Sequence, residues 1–175
     1  MITAQTIFFV EQGRELIRNL DDDLYCRTSD DQSGVGAHLR HVIDCFRCFQ
    51  HGLDTGRIDY DARQRNAHLE RNRETAEQAL LEISECLQSL TVEDAARPVQ
   101  VKVDTAAWDD PALHWTRSSV GRELQFLLSH TVHHYALIAL LLRQQGYDPG
   151  RQFGVAPSTL EFQGERVETP GVAVG

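Results

Sequence analysis

Lysine is nearly absent from this 175-residue chain, which contains Lys102 beside sixteen arginines. This scarcity argues against a Schiff-base lysine and a phosphate-binding loop, because each needs a lysine at a particular place. Long apolar runs are also missing, and no stretch approaches the roughly 20 residues that span a membrane. The first residues, Met1–Gln5, do not have the basic start and apolar core of a signal peptide. We therefore expect a cytoplasmic protein with no membrane partner.

Positive charge is also in short supply. The chain has 17 Lys plus Arg against 26 Asp plus Glu, which gives a net charge of −9. Such a charge repels the phosphate backbone of nucleic acids, so we expect a small-molecule substrate and no nucleic-acid partner. A chain of this length forms one domain by default and needs no metal or disulfide to fold. The four cysteines lie in helix-like segments, so they are expected to be reduced thiols.

Four segments carry apolar residues at helical spacing. They run from Thr3 to about Leu20, across His38–Phe49 with an end near Gly52–Gly56, from Leu69 to Leu90, and from Leu124 to Leu142. Thr3 is the candidate cap of the first helix, and Ser118 or Ser119 that of the fourth. Gly146 is expected to end the fourth helix.

The connections between these helices differ in character. The acidic, turn-rich stretch from Asp21 to Gly34 predicts a break after the first helix. Apolar and polar residues alternate in Val99–Asp104, and Asp109–Pro111 supplies a turn. This pattern predicts a small β-hairpin between the third and fourth helices.

The fold expected from these elements is an all-α, antiparallel four-helix bundle with up-down-up-down connections. A single domain over residues 1–163 should contain the four helices and the hairpin. The irregular C-terminal tail is expected to pack residues 152–157 across the bundle, and residues 164–175 are expected to be flexible.

Three of the eight histidines lie close together in the fourth helix, as His130, His133 and His134. His130 and His134 are about 40° apart around the helix and about 6 Å apart along it, so both can reach one metal ion. The apolar residues on the same side of the helix are Phe126, Leu127, Leu137, Ile138 and Leu141. The pair therefore faces inward, where a metal would satisfy imidazole nitrogens that are costly to bury without a partner. The alternative is a pair of buried histidines bonded to the backbone or to water.

A third ligand is expected from the second helix, which carries His38 and His41. His41 is favoured because Asp44 lies one turn away, where its carboxylate can accept a ring N–H or bond a metal-bound water. Asp44 is accordingly a candidate catalytic residue. His133 is the second, as a residue that lines the pocket beside the pair. Glu123 is about 10.5 Å along the helix from His130, too far to be a ligand.

Two segments carry a family resemblance, Gly36–Asp44 in the second helix and His130–His134 in the fourth. Through them the sequence resembles the DinB/YfiT-like superfamily of four-helix-bundle metalloenzymes over nearly the whole chain. A subgroup is also similar at Ile58–Arg63, Arg122–Phe126 and Phe153–Thr159. The resemblance implies that His41, His130 and His134 hold one divalent ion, with water in the open positions.

Cys45 is a departure from the family, whose members often have a histidine four residues after the first. Its thiol could bind a soft metal, react with substrate, or pack as a small apolar group, and packing is favoured. A further hypothesis makes Cys45 and Cys48 a redox dithiol beside His41, although no thioredoxin-like strand precedes them.

The leading functional hypothesis is a mononuclear metal enzyme of hydrolase or thiol-dependent transferase type. Thiol chemistry enters through the resemblance, since some relatives are thiol-dependent transferases, and a low-molecular-weight thiol is one candidate substrate. The ion could be zinc, nickel or iron, because imidazole suits all three. The competing hypothesis is a non-catalytic bundle that binds a metal or a stress metabolite, and a homodimer is compatible with either.

Overall fold

The computed structural model describes residues 2–28, 33–102 and 114–164. Most of them form helices, which are α1 (Ile2–Asn19), α2 (Asp22–Cys26), α3 (Val35–Thr55), α4 (Ala67–Arg71), α5 (Arg73–Gln88), α6 (Val120–Gln144) and α7 (Pro157–Phe162). The strands are β1 (Arg57–Asp59), β2 (Pro98–Lys102) and β3 (Thr116–Ser119), and single 3₁₀ turns cover Tyr60–Ala62 and Glu93–Ala96. The mostly helical fold expected from the periodicity is confirmed, with a small sheet beside it.

The four long helices share one hydrophobic core. Helix α1 packs against α5 and α6, and α3 packs against α5 and α6. Fully buried side chains from all four meet there, including Phe9, Val10, Leu39, Ile43, Phe46, Leu80, Ile83, Leu124 and Ile138. Burying one such side chain contributes about 1.5–3 kcal/mol, and all four cysteines are free thiols. Apolar packing between helices therefore stabilises the fold without a disulfide.

The ends of α6 follow the predicted signals. Ser119 is the N-cap, and its hydroxyl accepts a hydrogen bond from the Arg122 backbone N–H at 3.3 Å. Gly146 follows the helix with φ of 83°, a left-handed conformation that glycine adopts at little cost. At the other end of the chain the prediction was wrong, because α1 already includes Ile2 and Thr3 lies inside it.

The predicted third helix is two helices. Asn72 separates α4 from α5 with a non-helical backbone, and its side chain accepts a hydrogen bond from the Thr75 N–H at 2.7 Å. The apolar spacing continues through this break because Leu69 on α4 and Ala76 on α5 are both fully buried. Periodicity alone therefore overlooked a cap that starts a new helix.

The small sheet has the order β1-β2-β3. Strands β2 and β3 pair antiparallel, with Val99 opposite Ser118, as the predicted hairpin requires, while its predicted turn at 109–111 lies outside the described residues. The sequence pattern missed β1, which pairs parallel to β2 with Ile58 opposite Val101. Only three residues long, β1 is too short to show an alternating pattern.

Two segments expected to be irregular contain short helices. The acidic stretch after α1 forms α2, and its buried Tyr25 donates a hydrogen bond to the Leu69 carbonyl at 2.5 Å. In the tail, Phe153 stacks on Tyr135 of α6 at 4.9 Å between ring centroids, so this part packs across the helices as predicted. Helix α7 follows it, starting at Pro157, and residues 165–175 lie outside the described part of the chain.

Helix α6 is long and apolar enough, by length and composition alone, to cross a membrane. The sequence expectation of no such segment therefore does not hold for this helix. The observation is weak evidence for a membrane span, because a core helix of a soluble protein passes the same test. Here α6 packs against α1 and α3.

A glycine sets how closely α3 approaches α4. A Cβ atom added at Gly36 would lie 2.2 Å from the Glu70 backbone carbonyl oxygen, well inside van der Waals contact. We expect Gly36→Ala to destabilise the protein by about 1–3 kcal/mol, because backbone atoms must move. Urea unfolding of both proteins measures this. Gln50→Ala, on the same helix, is the control and should change stability by no more than about 0.5 kcal/mol. Equal stability of Gly36→Ala and wild type would contradict the prediction.

Candidate metal centre

Helices α3 and α6 bring three histidines together at their contact. His41 comes from α3, and His130 and His134 come from successive turns of α6. One ring nitrogen from each lies within 4.8 Å of the others. The residues that the sequence named as ligands thus form one cluster, although α3 and α6 are far apart in the chain.

The rings of this cluster face one another closely. The Nε2 atoms of His41 and His130 are 2.9 Å apart. The centroid of the His134 ring lies 4.7 Å from that of His41 and 4.5 Å from that of His130. Neighbouring donors around an ion with metal–nitrogen bonds of about 2.0–2.1 Å are separated by about 3 Å or slightly more. Small ring rotations would therefore suffice to admit an ion.

The three rings have few other partners. Within the described part of the chain, none of them hydrogen-bonds to a carboxylate or a backbone carbonyl. In that part of the chain their polar contacts are to other histidines and to the Cys45 thiol. Because buried imidazole nitrogens need partners, a cation that accepts their lone pairs fits this donor set.

The environment keeps these histidines neutral. Burial, together with the neighbouring histidines, lowers the pKa of His134 to about 3. Burial, His130 and Arg63 lower the pKa of His41 to about 4. The pKa of His130 is also below its usual range, mainly through burial. Only the neutral imidazole can bind a metal, so the fold presents the rings in the required state over the physiological pH range.

His38 contacts the cluster through His134, a contact that the sequence left open. Its Nδ1 lies 2.9 Å from Nδ1 of His134, and burial lowers its pKa as well. With Nδ1 of His134 engaged in this contact, Nε2 is the nitrogen left to face an ion. The angular arithmetic on one helix could not reveal this pair, because it depends on how α3 sits against α6.

Among the described residues, Asp44 makes no hydrogen bond to the histidine rings. Its buried carboxylate accepts a hydrogen bond from the Arg65 backbone N–H at 3.1 Å and lies 3.6 Å from the Arg40 guanidinium. Burial raises the pKa of Asp44, while Arg40 opposes the increase. Of the expected partners, His41 is not in hydrogen-bonding contact with it. Asp44 therefore does not accept a hydrogen bond from the ring N–H of His41. The ligand ring that does have such a neighbour is His134, whose Nδ1 lies against Nδ1 of His38.

His133 and Glu123, the other two residues considered from the sequence, also lie outside the three-histidine cluster. His133 is exposed, and its ring touches His134 edge-on at 5.3 Å between centroids. Glu123 is buried one turn into α6, where it accepts a hydrogen bond from Ser118. Glu123 is not part of the group of ligand atoms that His41, His130 and His134 form, in agreement with the expectation that it is not a ligand.

Cys45 borders the cluster from α3. Its buried Sγ lies 3.8 Å from Nε2 of His130. Burial raises the pKa of Cys45 to about 12 and that of Cys48 to about 11. Both thiols are therefore protonated at neutral pH, which disfavours the redox-dithiol hypothesis. Packing against the core agrees with the preferred interpretation of Cys45.

Comparisons with known proteins give one family and two relatives. The sequence model of the DinB family matches residues 10–160. The chain is 31% identical over 104 residues to the FK506-binding protein 5 of Rhizopus delemar, a match that covers 59% of this chain and 27% of that protein. The chain thus corresponds to about a quarter of that relative's length. The crystal structure of a DinB-like protein from Bacillus subtilis, YjoA, superposes with a TM-score of 0.61 at 16% identity, covering 83% of this chain and 92% of that one.

The neutral rings make the metal-free protein sensitive to acid. Unfolded histidines bind a proton near pH 6.5, but folded His41 does so only near pH 4. Stability is therefore complete above pH 6.5 and falls as the pH is lowered towards about 4. We expect a smaller fall for His41→Gln in urea unfolding at a series of pH values with chelator present. His51→Gln, at an exposed position, is the control and should follow the wild-type curve. Identical pH dependence in wild type and His41→Gln would refute the prediction.

Proposed function

Because the chain belongs to the DinB family, we propose that it is a mononuclear metal-dependent enzyme of hydrolase or thiol-transferase type, with the ion held by His41, His130 and His134. The observation that carries the proposal is the convergence of three neutral ring nitrogens within 4.8 Å. Imidazole ligands suit zinc, nickel and iron. A three-residue ligand set leaves positions for water and substrate, as catalytic sites require.

The ligand set also suits Lewis-acid chemistry. Three neutral imidazoles leave the charge of a divalent ion undiminished, so it would lower the pKa of a bound water from about 15.7 towards about 7, or bind a thiolate. Neighbouring side chains orient the ligand rings. His130 is held from one side by the ring of Phe126, which stacks on it at 5.5 Å between centroids.

His38 acts in this proposal as the residue that positions His134. Ligand histidines almost always donate their second ring N–H to an acceptor, which fixes the tautomer and the ring orientation. A neutral His38 can accept such a hydrogen bond through Nδ1, which lies 2.9 Å from His134 Nδ1. The expected catalytic role of Asp44 becomes an indirect one, since its carboxylate holds the Arg65 loop and Arg40. Exposed His133 remains a candidate for proton exchange with solvent at the edge of the site.

We also propose an arrangement for the long helices and a cellular location for the protein. The four long helices α1, α3, α5 and α6 are proposed to form an antiparallel, up-down-up-down bundle. The protein is proposed to act in the cytoplasm on a small molecule, with a low-molecular-weight thiol as one candidate. The pairwise contacts of the long helices support the architecture.

Metal analysis tests the ligand set. Protein purified without chelator is expected to contain about one divalent ion per chain, and His134→Ala to contain none. Added Zn²⁺ should raise the melting temperature of apo wild type, since a ligand at a hundred times its Kd stabilises by about 2.7 kcal/mol, but should not raise that of His134→Ala. His51→Ala, at an exposed position, is the control and should behave as wild type. Metal-free native protein whose stability and zinc response are unaffected by His134→Ala would refute the proposal. Turnover assays then separate an enzyme from a non-catalytic binder.

Replacement of His38 tests its positioning role. We expect His38→Ala to weaken zinc affinity about 10–100-fold while the stoichiometry stays at one ion per chain. His38→Asn should recover part of the affinity, because its amide oxygen can accept the hydrogen bond from His134. Competition with a chromophoric chelator measures both affinities. Unchanged affinity in His38→Ala would show that the His38–His134 contact does not support the site.

A further inference from the structure

Arg63 places a positive charge beside the histidine cluster. It follows the 3₁₀ turn Tyr60–Ala62, and its Nη1 donates a hydrogen bond to the Tyr60 carbonyl. Its guanidinium lies near the Cys45 side chain, where its charge opposes the rise of the Cys45 pKa that burial causes. Since Cys45 Sγ lies 3.8 Å from His130 Nε2, the guanidinium is one side chain away from a proposed ligand.

The loop that carries Arg63 is anchored to the same cluster. The buried Tyr60 ring packs against Phe126 at 5.1 Å between centroids, and Phe126 stacks on His130. Tyr60 is 1% exposed. The position of Arg63 is therefore determined by packing at the site rather than by a free surface loop.

Arg63 differs from its neighbour Arg40 in its partners. Arg40 lies 2.6 Å from Glu70 and 3.6 Å from Asp44, so its charge is balanced. Among the residues that the structure describes, no carboxylate oxygen lies within 4 Å of the Arg63 guanidinium. Its charge does act on the buried Asp44 carboxylate, but Arg40 and Arg47 act on that same carboxylate. A partly buried guanidinium is costly to leave without an anionic acceptor.

A bound divalent ion would add to the excess of positive charge beside Arg63. Three neutral imidazoles do not compensate a divalent ion, and Arg63 adds a further positive charge nearby. Like charges in a partly buried site repel unless an anion lies between them. The overall charge of −9 does not prevent this, because the potential at a partly buried site is set mainly by its nearest charged groups.

We propose that Arg63 binds the anionic group, a carboxylate or a phosphate, of the small molecule that the histidine site takes. This inference rests on the proposed function, since it assigns the substrate class of the same site. The planar guanidinium presents two parallel N–H donors that match two oxygens of a carboxylate or phosphate. The bound anion would lie between Arg63 and the ion, where it neutralises both.

Anion titration of the cobalt-loaded protein tests the inference. Acetate and inorganic phosphate serve as probes for the two sources of negative charge, and the visible absorption of bound Co²⁺ reports binding. We expect at least one probe to bind wild type, and Arg63→Gln to bind it roughly tenfold to a hundredfold more weakly. Arg63→Lys keeps the charge but not the paired donors, so its affinity should be intermediate.

Cobalt affinity separates an anion-binding role from a structural one. Removing a repelling charge should leave the cobalt affinity of anion-free Arg63→Gln unchanged or increase it. Arg47→Gln is the matched control, because Arg47 also has no ion pair among the described residues but lines a neighbouring cavity of about 310 Å³ with Asp44 and Cys48. It should bind both cobalt and anion as wild type does.

The outcomes distinguish the two proposals. If wild type binds no cobalt, the proposed function fails and this inference falls with it. If wild type binds cobalt but neither probe, or if Arg63→Gln binds the probe as tightly as wild type, this inference alone is wrong. Loss of cobalt from Arg63→Gln, or an equal loss of anion affinity in Arg47→Gln, would also overturn it.

Discussion

The contact between α3 and α6 is the interaction on which the rest of the site depends. It brings His41 against His130 with 2.9 Å between their Nε2 atoms, and His38 against His134 with the same distance between their Nδ1 atoms. The apolar residues that hold the two helices together, such as Ile43 and Ile138, are fully buried. The energy for gathering four imidazoles therefore comes from hydrophobic packing around them, and not from the imidazoles themselves.

This arrangement explains why the histidines are neutral. Their neighbours are apolar side chains, one another, and the guanidinium groups of Arg40 and Arg63, all of which disfavour a protonated ring. The buried carboxylate of Asp44 is engaged with Arg40 and the Arg65 backbone instead. A cluster that resists protons in this way offers lone pairs to a metal ion, and its positive surroundings offer a place to an anion.

Much of the fold was accessible from apolar spacing, but the breaks in it were not. Helices α1, α3 and α6 appear close to where the periodicity indicated them, and Ser119 and Gly146 delimit α6 through local capping chemistry. The break at Asn72 was missed because the buried stripe continues across it. Strand β1 was missed because three residues carry no period, and its pairing with β2 depends on residues about 40 positions away.

The sequence by itself determined that His130 and His134 share one face of a helix, because residues four apart in an α-helix lie one turn apart whatever surrounds them. It also determined that this face is apolar and points inward. Only the tertiary structure decided which partners meet that face: His38 beside His134, Asp44 turned towards Arg40, and Arg63 next to Cys45. The Asp44–Arg40 pair lies within α3, but the Arg65 backbone N–H that also holds Asp44 comes from the following loop. The contacts of His38 with His134 and of Arg63 with Cys45 join residues of different elements, so they follow from how whole helices and loops pack, which no local spacing rule contains.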